Sequence, residues 1–264
     1  MKQIIVNGLS VGYQQKGQGA PLLLLHGGVS DSRYWQREID VFSDAYKVIA
    51  WDAPGCGQSD DPPENFSMSD YADILAEFLS ILGIHKTHVL GISFGGGLAI
   101  SLFNQHPEIP STLMLISAYA GWAGSLPAVE VERRLEKGRK QTKMDPEAVA
   151  EMWIPSLFSS TPTEEMIQEE KEIISDFHPA GSQIMLEAFA KANLTNVLPE
   201  IDVPTLLLYG EEDVRAPLEI ARELNGRIPT STLVVAPGVG HLINKEAPEL
   251  FDRHVREFLE RHRK

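Results

Sequence analysis

The sequence predicts an α/β fold organised on a largely parallel sheet, and three observations lead there. Short, continuous apolar runs recur along the chain, as expected of strands covered on both faces. Stretches with helical periodicity lie between them, the alternation from which parallel sheets are built. With 264 residues, 43% hydrophobic and 23% charged, the chain buries about three quarters of its unfolded surface on folding. Neither a disulfide nor a metal is then required to hold it.

The elements follow in order. Lys2 to Val6 and Leu9 to Gln14 read as an opening hairpin turned by Asn7-Gly8. Pro21 to Leu25, Lys47 to Trp51, Thr87 to Ile92, Thr112 to Ile116, Pro204 to Tyr209 and Thr232 to Val235 are the apolar runs. Ser67 to Leu82 is helical: Tyr71, Ile74, Leu75, Phe78 and Leu82 share a stripe, Ser67 and Asp70 form a capping pair, and Gly83 ends it. A second helix is expected from Leu98 to Gln105, after three glycines and before Pro107. A third runs from Pro217 to Leu224, ended by Asn225-Gly226. The last spans Glu246 to His262, with Phe251, Val255, Phe258 and His262 on one face.

From Tyr119 to Asn196 the alternation stops. This stretch is helix-prone, punctuated by prolines and without a strand-like run, so it reads as a helical insertion between the sixth and seventh strands. It defines a lid over 119–196, with 1–118 and 197–264 as the core. The lid carries two of the four tryptophans and four of the seven methionines. These form its own apolar core or, for residues such as Trp122, Met152 and Trp153, a ceiling over a substrate pocket.

Charge narrows the function. Lysine plus arginine number 23 against 37 acidic residues, a net charge of −14. Such a chain gains no counterion-release energy from nucleic acid and is repelled by anionic lipid, so neither is expected as a partner. Cys56 is the single cysteine and no Cys/His cluster has zinc spacing. The apolar run at the N-terminus is too short for a signal peptide, and no stretch approaches a membrane span. The expected compartment is the cytoplasm.

Gly91-Ile92-Ser93-Phe94-Gly95 fits G-x-S-x-G directly after an apolar strand, where a sharp turn into a helix projects a serine hydroxyl above the sheet. A serine needs a histidine to take its proton, and the histidine needs an acid to fix its tautomer. Asp213 follows one strand and His241 the last one, each in a loop at a strand's C-terminal end. Glu211 and Glu212 are the alternative acids, and His26 is the rival histidine, read instead as bracing its loop. The turn Leu25-His26-Gly27-Gly28-Val29 offers one oxyanion donor, the amide of Gly28 or alternatively Val29, and Phe94 the other. Asp52, in a Pro/Gly-rich loop, reads as a turn-maker.

The chain resembles the α/β-hydrolase fold superfamily, serine-nucleophile branch, over nearly its whole length. The resemblance rests on Leu-His-Gly-Gly at 25–28, Trp-Asp-Ala-Pro-Gly-Cys-Gly-Gln-Ser at 51–59, Gly-Ile-Ser-Phe-Gly-Gly at 91–96, Tyr-Gly-Glu-Glu-Asp at 209–213 and Gly-His at 240–241. It implies an eight-stranded, mostly parallel sheet flanked by helices, a helical cap after the sixth strand, a Ser93–Asp213–His241 triad, and no cofactor. Haloalkane dehalogenases and soluble epoxide hydrolases use an aspartate where this chain has Ser93. Many C–C bond hydrolases extend the oxyanion loop with Gly-Pro-Gly, absent at 28–31. Many perhydrolases carry an aromatic–proline pair near that loop, also absent. Carboxylesterases and enol-lactonases remain. The expected activity is hydrolysis of a carboxylic ester or lactone of a small to medium, partly apolar substrate. C–C hydrolysis, perhydrolysis and acyl transfer are alternatives on the same triad, and a ligand receptor with little turnover is the alternative of another class.

Overall fold

The structure is a computed structural model that describes residues 1–160 and 162–263. Its strands are β1 (Lys2–Val6), β2 (Leu9–Lys16), β3 (Ala20–Leu25), β4 (Tyr46–Trp51), β5 (Thr87–Ile92), β6 (Pro110–Ile116), β7 (Thr205–Gly210) and β8 (Ser231–Ala236). They form one sheet in the order β1-β2-β4-β3-β5-β6-β7-β8. The β1–β2 and β2–β4 pairs are antiparallel and the rest parallel. The expected eight-stranded α/β architecture is what the chain adopts.

The helices are α1 (Gln36–Phe42), α2 (Met68–Ile81), α3 (Phe94–Gln105), α4 (Trp122–Ser125), α5 (Ala128–Gln141), α6 (Pro146–Trp153), α7 (Glu164–Ser175), α8 (Pro179–Lys191), α9 (Leu218–Arg227), α10 (Ile243–Glu246) and α11 (Pro248–Arg261). The side-chain period of two divides the core between the sheet's faces. Leu23, Leu25, Ile49, Trp51 and Leu115 pack with Phe78 of α2 and Leu98 of α3. Their neighbours Leu22, Leu24, Val48, Ala50 and Ile116 pack with Phe42 of α1 and Phe251 of α11. Each fully buried leucine is worth roughly 1.5–3 kcal/mol, so the continuous apolar runs specify a sheet that must be covered twice.

Three helix boundaries differ from expectation. The helix expected from Leu98 starts at Phe94, directly after Ser93, so all three glycines lie inside it. The one expected over 217–224 runs on through Asn225-Gly226 to Arg227, with Pro217 as its N-cap. The terminal helix expected from Glu246 is two, because the chain turns at Ala247 before Pro248 restarts it. Helix α1 and the 3-10 turn Ser32–Trp35 before it were not foreseen, although Asp31 caps the turn by accepting the Arg33 amide. The α2 capping box is present, with Ser67 and Asp70 each satisfying the other's backbone amide.

Between β6 and β7 the described residues form helices α4 to α8 and short 3-10 turns, without a strand. Phe189 of α8 packs edge-on against Phe94, with ring centroids 5.5 Å apart. Among the described residues, no helix is long and apolar enough to cross a membrane.

Candidate active site

The parallel strands deliver four loops to one edge of the sheet. β3 leads to Gly27–Val29, β5 to Ser93, β7 to Asp213 and β8 to His241. Ser93 sits at φ +53°, ψ −112°, a backbone conformation that costs free energy for any residue with a side chain. Close packing holds it there. A methyl group on Gly91 would lie 2.2 Å from the Gly95 carbonyl oxygen, and one on Gly95 would lie 2.2 Å from that of Leu25. Both positions of the motif are therefore closed to anything larger than glycine.

Asp213 and His241 form a buried pair, His241 Nδ1 lying 2.8 Å from Asp213 Oδ2. The other carboxylate oxygen accepts the amides of Arg215 at 2.8 Å and Ala216 at 2.9 Å. Burial works to raise the Asp213 carboxyl, but His241 and these donors outweigh it and hold the group below the usual carboxylate range. The Asp213 carboxylate thus requires Nδ1 to carry the proton, leaving Nε2 free to accept one. Ser117, at φ +46°, donates to the His241 carbonyl at 3.3 Å. Glu211 and Glu212 are exposed, and Glu211 accepts the Gly238 amide at 3.1 Å.

Ser93 and His241 line one cavity of about 300 Å³, together with Gly27, Gly28, Val29 and Phe94. No hydrogen bond joins the Ser93 hydroxyl to His241 in this structure. The amides of Gly28, Val29 and Phe94 engage no backbone acceptor. Val29 is held at φ +54°, which is costly for a β-branched residue. His26 is buried and braces this turn. Its Nε2 accepts the Ala53 amide at 3.0 Å, and its Nδ1 donates to the Gly27 carbonyl at 2.7 Å. Burial lowers its pKa, which keeps the ring neutral. Asp52, also buried, accepts the amides of Ser32 and Gln58, both at 2.8 Å.

Trp122, Met152 and Trp153 all line the cavity, joined by Met185 and Phe189. Sequence reasoning missed the cations on the same wall: Arg133, Arg134 and Lys137 of α5, and Arg215 after β7. The three on α5 were present in the sequence as one charged helix face, which ordinarily reads as solvated. A larger cleft of about 590 Å³ lies between α2 and α8, but Ser93, Asp213 and His241 take no part in it. Among the described residues, no group of three or more His, Cys, Asp or Glu side chains is placed to hold a metal ion.

Strand-end loops of this order over an eight-stranded sheet define an α/β-type hydrolase. Residues 20–248 match the family described as alpha/beta hydrolase fold. The chain is 31% identical to the 2-hydroxy-6-oxononadienedioate/2-hydroxy-6-oxononatrienedioate hydrolase of Burkholderia vietnamiensis, over 96% of this chain and 92% of that one. It superposes on an esterase from Thermogutta terrifontis with a TM-score of 0.89 and 26% identity, covering both chains fully. The enol-lactonase of Burkholderia xenovorans shares the fold, with a TM-score of 0.84 at 21% identity over 98% of this chain and 100% of that one. The chain belongs to the α/β-hydrolase fold family, and at that level it is a hydrolase.

Proposed function

We propose that this chain is a serine hydrolase that cleaves a carboxylic ester or lactone through an acyl-enzyme, with helices α4 to α8 as a lid over the cavity. The observation that carries the reading is the buried Asp213–His241 pair opening onto the same cavity as Ser93 at its strained turn. His241 Nε2 takes the proton of Ser93 as the hydroxyl attacks the carbonyl carbon. Asp213 fixes the tautomer and stabilises the imidazolium. Negative charge on the carbonyl oxygen meets the amides of Phe94 and of Gly28 or Val29, and losing one such donor typically costs about a hundred- to a thousandfold in rate. The leaving alcohol takes the proton from His241. Water then repeats the sequence on the acyl group.

The test is intact-mass measurement after treatment with a reactive fluorophosphonate, alongside hydrolysis of aryl esters of increasing acyl length. One adduct on Ser93 with turnover, both lost in Ser93→Ala, is the expected result. Turnover that survives in Ser93→Ala overturns the assignment.

A second reading is C–C bond hydrolysis on the same residues. It is favoured by the named activity of the Burkholderia vietnamiensis relative, against which stands the missing Gly-Pro-Gly at the oxyanion loop. Cleavage of a vinylogous 1,5-diketone acid faster than of any aryl ester would select it.

A further inference from the structure

A chain with net charge −14 has a cavity wall of the opposite sign. Arg133, Arg134, Lys137 and Arg215 line it, against Glu170 as the one acidic lining residue among the described residues, and Glu170 is held by Lys245 at 2.8 Å. Three of the cations come from α5 at positions i, i+1 and i+4, within about 100° of helix face. Arg133 and Arg134 share one carboxylate, Glu130, at 2.7 and 2.6 Å. Lys137 is exposed, with no ion-pair partner among the described residues.

Arg215 is the most telling of the four. Among the described residues no carboxylate lies within ion-pair distance of its guanidinium. One nitrogen donates to Ser156 Oγ at 2.9 Å, and the group lies 4.2 Å from the centroid of the Trp153 ring. Most of its five N–H donors are left over at the cavity wall. Burial pushes the guanidinium down to about 10, with Tyr119 and Asp213 nearby opposing that shift. It is therefore charged at neutral pH, and because the residue is only half-buried its leftover donors lie open to the cavity, where an anion can take them up. Stacking on Trp153 explains its position but not its unused donors.

Resting on the serine-hydrolase reading above, we infer that the substrate carries a second, ionised carboxylate, which Arg215 holds while the α5 cations draw it to the cavity mouth. A guanidinium matches a carboxylate with two parallel hydrogen bonds. Asp213, two residues away in sequence and close enough to act on Arg215, favours a single negative charge over a dianion such as phosphate. The apolar lining from Met152, Met185 and Phe189 suits the hydrocarbon between the scissile carbonyl and that carboxylate. Arg215 is thus a specificity-determining residue supplied by the loop that also carries the acid.

The experiment compares mono-4-nitrophenyl adipate with 4-nitrophenyl hexanoate, esters of equal acyl length that differ in the terminal carboxylate. The expected kcat/KM favours the charged ester by about tenfold or more, mainly through KM, and the preference shrinks with added salt. Arg215→Gln should bring the ratio towards one, and Arg215→Lys should recover part of it. A wild-type ratio at or below one, or a ratio unchanged in a folded Arg215→Gln, overturns the inference. If Arg215→Gln does not fold, Lys137→Met takes its place, with a weakened salt dependence expected and an unchanged one counting against the inference. Titration of Ser93→Ala with adipate, followed by tryptophan fluorescence, reads the anion site without catalysis. Adipate binding without any fluorophosphonate adduct in the wild type keeps the anion site and rejects the hydrolase. Turnover of both esters without discrimination keeps the hydrolase and rejects the anion site.

Discussion

The sheet edge and the helices between β6 and β7 meet at one cavity but are built on different terms. At the edge, position is set by backbone against backbone. Added methyl groups on Gly91, Gly95 and Gly210 would lie 2.1–2.2 Å from carbonyl oxygens, and Asp213 and His241 are buried. On the helical side backbone also meets backbone in places, as where Gly181 packs on Gly55, but several of the groups facing the cavity are half-exposed side chains: Trp122, Trp153 and Arg134 are partly open and Met152 is 47% exposed. Groups held by backbone packing cannot change without moving the sheet. Groups held by side chains can change one at a time. Under the proposed function, the edge is suited to fixed chemistry and the helices to choosing what reaches it.

Variants on the two sides should separate accordingly. His241→Ala should lower kcat for an aryl ester by about a thousandfold or more, with the fold retained by circular dichroism. A loss below tenfold would remove the sheet edge from the chemistry altogether. Gly91→Ala tests the packing itself. Its methyl has only backbone to meet, so unfolding stability should fall by about 3 kcal/mol or the protein should fail to accumulate. A melting curve superimposable on wild type would show the edge to be softer than its contacts imply. Met152→Ala should raise KM for a medium-chain ester several-fold at nearly constant kcat, with stability within about 0.5 kcal/mol. A changed kcat with constant KM would place this helix in the chemistry and dissolve the contrast.

The smallest effect concerns pH. Glu38 of α1 is buried, and desolvation pushes its carboxyl up to about 7 despite Arg37 beside it. In the unfolded chain the same group ionises near the ordinary value of about 4.3. Between those values the native state binds more protons than the unfolded one, so the Glu38 contribution falls as pH rises towards 7. Glu38→Gln should flatten the change in Tm between pH 5 and 7 by a few degrees, at roughly 2–4 °C per kcal/mol. Identical pH profiles for the two proteins would show that Glu38 ionises freely.

The sequence made the sheet edge legible and left the opposite wall dark, for a physical reason. Ser93, Asp213 and His241 each follow an apolar run that ends at a glycine-rich turn, and strand ends in parallel sheets point one way. Topology then brings together what sequence keeps 120 and 28 residues apart. The charges of α5 carry no such marker. Arg133, Arg134 and Lys137 have the spacing of any solvated helix, and only the tertiary placement of α5 turns that face towards a cavity. Arg215 was hidden by its neighbour, because a residue beside a candidate acid reads as loop. The same limit applied to the helix boundaries at Phe94 and Pro248, where tertiary packing and a local turn decide what periodicity alone does not.

One contact alters how the two regions could ever be exchanged. The carbonyl of Leu157, in the segment between β6 and β7, accepts the amides of both His241 and Leu242, at 3.0 and 3.2 Å. Two residues on, Ser159 donates to the Gly238 carbonyl and, through its own amide, to Glu246, each at 2.9 Å. The histidine loop is thus stitched to a stretch of chain that a diagram of inserted helices would assign to the other party. A chimera that swaps the helical segment for a foreign one must leave residues 157–159 behind, or it will carry off the mounting of the His241 loop.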